Sequence, residues 1–148
     1  MSKKCRILKD LILTNVVHKI IEVLNLRYID KNRVAVVRNL DSSSYAYARI
    51  YALPRPIAIA FDLSPTYVIE VIDHRFSILS CREKVRILIH ELMHIPTTFS
   101  GALRPHNNKY FNSKYLDKLT NKVLKAYPSI CHDLTNSIKI IHTKNIHS

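Results

Sequence analysis

The stretch from Ser80 to Pro96 is written as a helix at both of its ends. Ser80 can cap the first turn while Glu83, three residues on, reciprocates, and Pro96 disfavours helical backbone at Ile95. Between these limits Val85, Leu88, Ile89 and Leu92 recur at spacings of three, four and seven, which buries one stripe of the helix. On a neighbouring face His90 and His94 lie four residues apart, one above the other, with Glu91 between them in sequence. Any fold of this chain must therefore lay a core under that stripe and hold two imidazoles together near the helix end.

The rest of the chain supplies elements to pack around it. Leu13, Val16, Val17, Ile20, Val23 and Leu24 recur at three- and four-residue spacings and predict a helix over residues 8–25. A polar turn over residues 27–33 leads to a β-branched run over residues 34–37, after which Asp41 and three serines break the pattern. Residues 45–51 alternate aromatic and small side chains, Leu53-Pro54-Arg55-Pro56 interrupts them, and a short helical piece fits residues 57–62. Tyr67-Val68-Ile69-Glu70-Val71-Ile72, bounded by Pro65 and Asp73, predicts a strand. A second helix is expected from Asn112 or Ser113, packing Leu116, Leu119, Val123 and Leu124 and ending at Pro128. Ile130, Leu134, Ile138 and Ile141 then keep helical spacing before a flexible polar tail from about residue 142. A chain of 148 residues buries one core, so one α+β domain over residues 1–148 is expected, a small sheet with helices on it.

The string His90-Glu91-Leu92-Met93-His94 is HExxH, in which one helical turn presents two imidazoles to one ion and the intervening glutamate to a water. Zn2+ is the natural occupant, with Glu91 as the catalytic base. A third protein ligand would leave one position open for water, and His106, in a turn-rich segment soon after the helix, is the leading candidate. Asp117 on the next helix and His132 or Cys131 in the C-terminal part compete with it. The loop between His94 and His106 holds Gly101, the chain's one glycine, which fits a backbone that must take a positive φ to turn back. Arg104 could hold a substrate carbonyl or an oxyanion. His18, His74, His142 and His147 share no ligand spacing.

With 23 Lys and Arg against 11 Asp and Glu, the formal charge is +12, and non-specific DNA association through a basic surface is expected beside the blander outcome of a solvated coat. No apolar run approaches the roughly 20 residues that span a bilayer, and the basic N-terminus leads into no signal-peptide core. Cys5, Cys81 and Cys131 are odd in number and do not form a disulfide framework by spacing, so a reducing cytoplasm is expected.

The strand Tyr67-Val68-Ile69-Glu70-Val71-Ile72, the helix string HELMHIP at His90 to Pro96, Phe99-Ser100-Gly101 and Arg104-Pro105-His106 together resemble a family of small zincin-like metallopeptidases of archaea and phages. The likeness runs from about Ala48, through Ala52-Leu53-Pro54, to about His106. It implies zinc ligation by His90, His94 and His106, with Glu91 as base, in a minimal zincin-like fold acting on a protein or peptide substrate. Thr97 and Ser100 stand where the longer metzincin string needs glycine and histidine, so the chain is not of that type. A more distant likeness is to SprT-like proteases, which act on proteins crosslinked to DNA. In the peptidase reading the strand around Ile69 is the sheet edge that an extended substrate joins. The alternative is a basic nucleic-acid-binding protein whose zinc site is structural or vestigial, its shell closed by a fourth ligand such as Cys131.

Overall fold

A computed structural model describes residues 6–137; Cys5, Ile138, Ile141, His142, His147 and the polar tail lie outside the described residues. Asp10 sets the first boundary: its carboxylate accepts from Leu13 N at 2.9 Å and caps helix α1 (Leu11–Val23). The residues before it, expected as the start of that helix, instead form strand β1 (Ile7–Lys9). Strand β2 (Val34–Asn39), strand β3 (Ala48–Ala52), helix α2 (Arg55–Ala60) and strand β4 (Tyr67–Ile72) follow. Next come helices α3 (Asp73–Phe76), α4 (Cys81–Leu92) and α5 (Ser113–Ala126), then helix α6 over residues 130–137. The architecture is α+β, as the sequence predicts.

The strands form one mixed sheet in the order β1-β2-β4-β3, with β2 parallel to β4 and both outer pairs antiparallel. Here one expectation is overturned. The strand around Ile69 is interior, paired with β2 on one side and β3 on the other, and Ile69 is fully buried, so it offers no edge for a substrate to join. Its mixed apolar sequence, buried on both faces, is what an inner strand requires. The edges are β1 and β3, and β3 lies against α4.

Helix α1 packs on β2, α4 on β3, and α5 against both helices. All four stripe residues of α4, Val85, Leu88, Ile89 and Leu92, are fully buried. Beneath α1 sits a charged core: Arg38 donates to Asp10 at 3.1 Å, to Asp73 at 2.9 Å and to Ser137 of α6 at 3.2 Å, while Ser137 donates to Asp10 at 2.6 Å. Arg38 is wholly buried, so these partners are what make its charge tolerable.

The cysteines also depart from expectation. Cys81, the first residue of α4, and Cys131 of α6 are joined in a disulfide with their Cα atoms 5.5 Å apart. Their 50-residue separation carries no spacing signal, and only the packing of α6 beside the start of α4 brings them together. The bridge removes the ground on which a reducing compartment was expected. Among the described residues no helix is long and apolar enough to cross a membrane.

Candidate metal centre

Ser80 caps α4 by accepting from Glu83 N at 3.2 Å, and the regular helix stops at Leu92, two residues short of His94. The chain goes on in tighter turns, with His94 N donating to Glu91 O at 3.1 Å and Ile95 N to Leu92 O at 3.1 Å. This turn keeps His94 over His90: their ring centroids are 5.3 Å apart.

The loop that follows reverses on itself through Phe99 at φ 46° and Gly101 at φ 90°. A Cβ on Gly101 would meet only Pro65 Cβ at an ordinary 3.9 Å, so glycine is needed there for its conformation rather than for space. Tyr67 pins the reversal, its hydroxyl accepting from Gly101 N at 2.8 Å and donating to Ala102 O at 2.9 Å. Arg104 pins the return. Its carbonyl accepts from His94 Nδ1 at 2.6 Å, its guanidinium donates to Met93 O at 2.8 Å, and the same guanidinium stacks on Tyr110 at 3.6 Å. Those contacts make Arg104 a brace for the turn.

Two residues later His106 reaches the helix. Its Nε2 lies 3.1 Å from His90 Nε2, and its ring centroid is 5.1 Å from that of His90 and 4.7 Å from that of His94. Among the described residues the ligating atoms of these three histidines fall within 4.8 Å of one another and could hold a metal ion. The chemistry of the set fits zinc. Nδ1 of His94 gives its proton to the Arg104 carbonyl, which leaves the Nε2 lone pair free. Nitrogens about 2.0–2.1 Å from a tetrahedral ion stand roughly 3.3 Å apart, close to the His90–His106 separation.

The electrostatics favour neutral imidazoles. Burial, helped by His94, His106 and Arg86, draws His90 down to about 4, and burial also lowers His94. Glu91, 8% exposed, is pushed up to about 7 by burial, and its carboxylate has no hydrogen-bond or ionic partner among the described residues. A carboxyl raised to about 7 beside a cluster that could hold a metal can take up a proton near neutral pH.

The competing ligands lie elsewhere. Asp117 is paired with Arg86 at 3.0 Å, His132 contacts Asn136 at 3.2 Å, and Cys131 is in the disulfide. One neighbour had no sequence signal at all: the half-buried ring of Phe111 stands 5.0, 4.6 and 4.9 Å from the rings of His90, His94 and His106. It lies just before Asn112, whose side chain caps α5, so the start of that helix and the histidine cluster position each other.

A family model described as "Putative phage metallopeptidase" matches residues 6–139, nearly the whole chain. Neither a curated protein nor a solved structure matches it significantly.

Proposed function

Since the chain belongs to the family described as putative phage metallopeptidase, we propose that it is a zinc-dependent endopeptidase working through His90, His94, His106 and Glu91. The observation that carries this reading is the return of His106 to within 3.1 Å of His90, beside a Glu91 that has no partner among the described residues. A zinc ion held by the three histidines would supply an electrophile for the scissile carbonyl and a water acidic enough to ionise near neutral pH.

Glu91 takes the proton from the attacking water on its carboxylate and passes it to the nitrogen of the leaving amine. Burial prepares it for both halves of that transfer, because a carboxyl near 7 binds and releases a proton at similar cost. The Arg104 carbonyl fixes which nitrogen of His94 carries its proton, and Tyr67 and Arg104 hold the loop that delivers His106. An extended substrate would join the outer edge of β3, the sheet edge nearest α4.

The alternative of a closed structural zinc site finds less support. It needs a fourth protein ligand, whereas the cluster of described residues contains three and Cys131 is already bonded to Cys81.

Metal analysis with variants tests the reading. Purified protein should hold about one zinc per chain, and His90→Ala, His94→Ala or His106→Ala should each lose stoichiometric binding. Glu91→Gln should keep the metal while peptide hydrolysis falls about 10²–10⁴-fold. Unchanged zinc content in the histidine variants, or cleavage by Glu91→Gln at the parental rate, overturns it.

A further inference from the structure

Helix α5 carries Lys114, Lys118, Lys122 and Lys125 at spacings of four, four and three, which aligns them along one face. All four are exposed, and among the described residues none has a carboxylate within ion-pairing distance. The one acid of the helix, Asp117, is occupied by Arg86 at 3.0 Å and Arg82 at 3.9 Å, both from α4. The opposite face, with Leu116, Thr120 and Val123, is buried, so the helix cannot roll and the row is fixed outward. At 1.5 Å per residue the lysines span about 16 Å.

A membrane surface would ask for apolar side chains interleaved with the lysines, and a single strand of nucleic acid for exposed rings to stack on. No large hydrophobic or aromatic residue of α5 is exposed. What remains is a straight row of cations suited to a regular line of anions. Each strand of duplex DNA carries such a regular line of phosphates, of which the four lysines can neutralise up to four. We propose that the outer face of α5 docks the phosphate backbone of duplex DNA without reading its sequence.

The position of the helix gives that docking a use. Phe111, just before the α5 cap, touches all three histidine rings, so a duplex along α5 runs beside the metal centre. Proteins bound to that duplex would be concentrated there. The docking itself needs neither zinc nor Glu91.

Fluorescence anisotropy with a short labelled duplex of arbitrary sequence tests it. Affinity should fall about 10²-fold between about 50 and 200 mM salt, as four neutralised phosphates require. The variant K114Q/K118Q/K122Q/K125Q, shown to be folded by circular dichroism, should lose about tenfold or more at the lower salt and flatten the salt dependence. Removing the same charge elsewhere, in K9Q/R27Q/R33Q/R55Q, should cost less than about threefold. Glu91→Gln should bind as the parent does, which separates this proposal from the peptidase reading. Equal losses in the two quadruple variants would show a diffuse coat of charge. Absence of duplex binding at low salt, preference for single strands or duplex RNA, or capture by phosphatidylserine vesicles in place of DNA would each overturn the proposal.

Discussion

Arg38 is fully buried and meets Asp10, Asp73 and Ser137 through all three of its nitrogens, whereas Glu91, almost as buried, meets no partner among the described residues. Both sit under helices that pack on the same sheet. In the first cluster each charge is balanced, and the hydrogen bonds reach from β2 to the start of α1, to α3 and to α6. In the second, burial wins: it lifts Glu91, which has no partner among the described residues, and lowers His90 and His94, the latter despite its bond to the Arg104 carbonyl. Balanced burial ties elements together; unbalanced burial stores reactivity, which a metal or a substrate can then use.

Breaking the balanced cluster should have the largest effect on stability. Arg38→Ala leaves Asp10, 2% exposed, without its counter-charge and takes one partner from Asp73, and a loss of about 3–5 kcal/mol is expected in denaturant unfolding. A loss below about 1 kcal/mol would mean that the carboxylates find water or new partners, and the contrast with Glu91 would fail.

A somewhat smaller effect should come from the disulfide, which joins the start of α4 to the same α6 that Arg38 holds through Ser137. Closing a 50-residue loop stabilises a chain by about 4 kcal/mol on entropy alone, and about 2–4 kcal/mol is expected after native-state adjustments. Reduction by a dithiol should therefore lower the thermal midpoint while zinc stoichiometry stays unchanged, because neither cysteine belongs to the histidine cluster. Loss of zinc on reduction would tie the scaffold to the site more tightly than the contacts do.

The two clusters also differ in how far they could be read beforehand. His90, Glu91 and His94 announce themselves by helical spacing, and Gly101 by being the chain's one glycine at a place that needs positive φ. His106 followed from its nearness to that loop. Strand Tyr67–Ile72 and the ends of α4 and α5 were legible because β-branched runs, caps and prolines act locally. Arg38 looks like the polar end of a strand, and only the docking of α1, α3 and α6 buries it. The same holds for the position of β4 inside the sheet and for the Cys81–Cys131 pair, both products of strand order and helix packing. Phe111 and the Arg104 carbonyl were invisible for another reason: a ring and a backbone oxygen carry no motif, and their roles exist only once the loop has folded back.

The smallest effect predicted here has the opposite sign from the others, which makes it the sharpest test of the contrast. In the unfolded chain Glu91 titrates at the ordinary carboxylate value of 4.5, and in the metal-free fold burial raises it to about 7. Between those values the folded state holds a proton that the unfolded state has released, so stability falls as pH rises through this window. Below about 4.5 the neutral carboxyl costs nothing extra; above about 7 the fold carries a largely buried anion with no partner among the described residues. Glutamine keeps the shape and never ionises, so Glu91→Gln should stabilise the metal-free protein by about 1–3 kcal/mol at about pH 8 and by almost nothing near pH 4.5. His90 and His94, both lowered, titrate in parent and variant alike and drop out of the difference. Adding zinc should shrink the gain, since a nearby cation stabilises the carboxylate that glutamine lacks. Unfolding curves across this pH range decide the matter: a Glu91→Gln variant that is less stable at every pH would mean that the carboxylate is compensated after all, as Arg38 is.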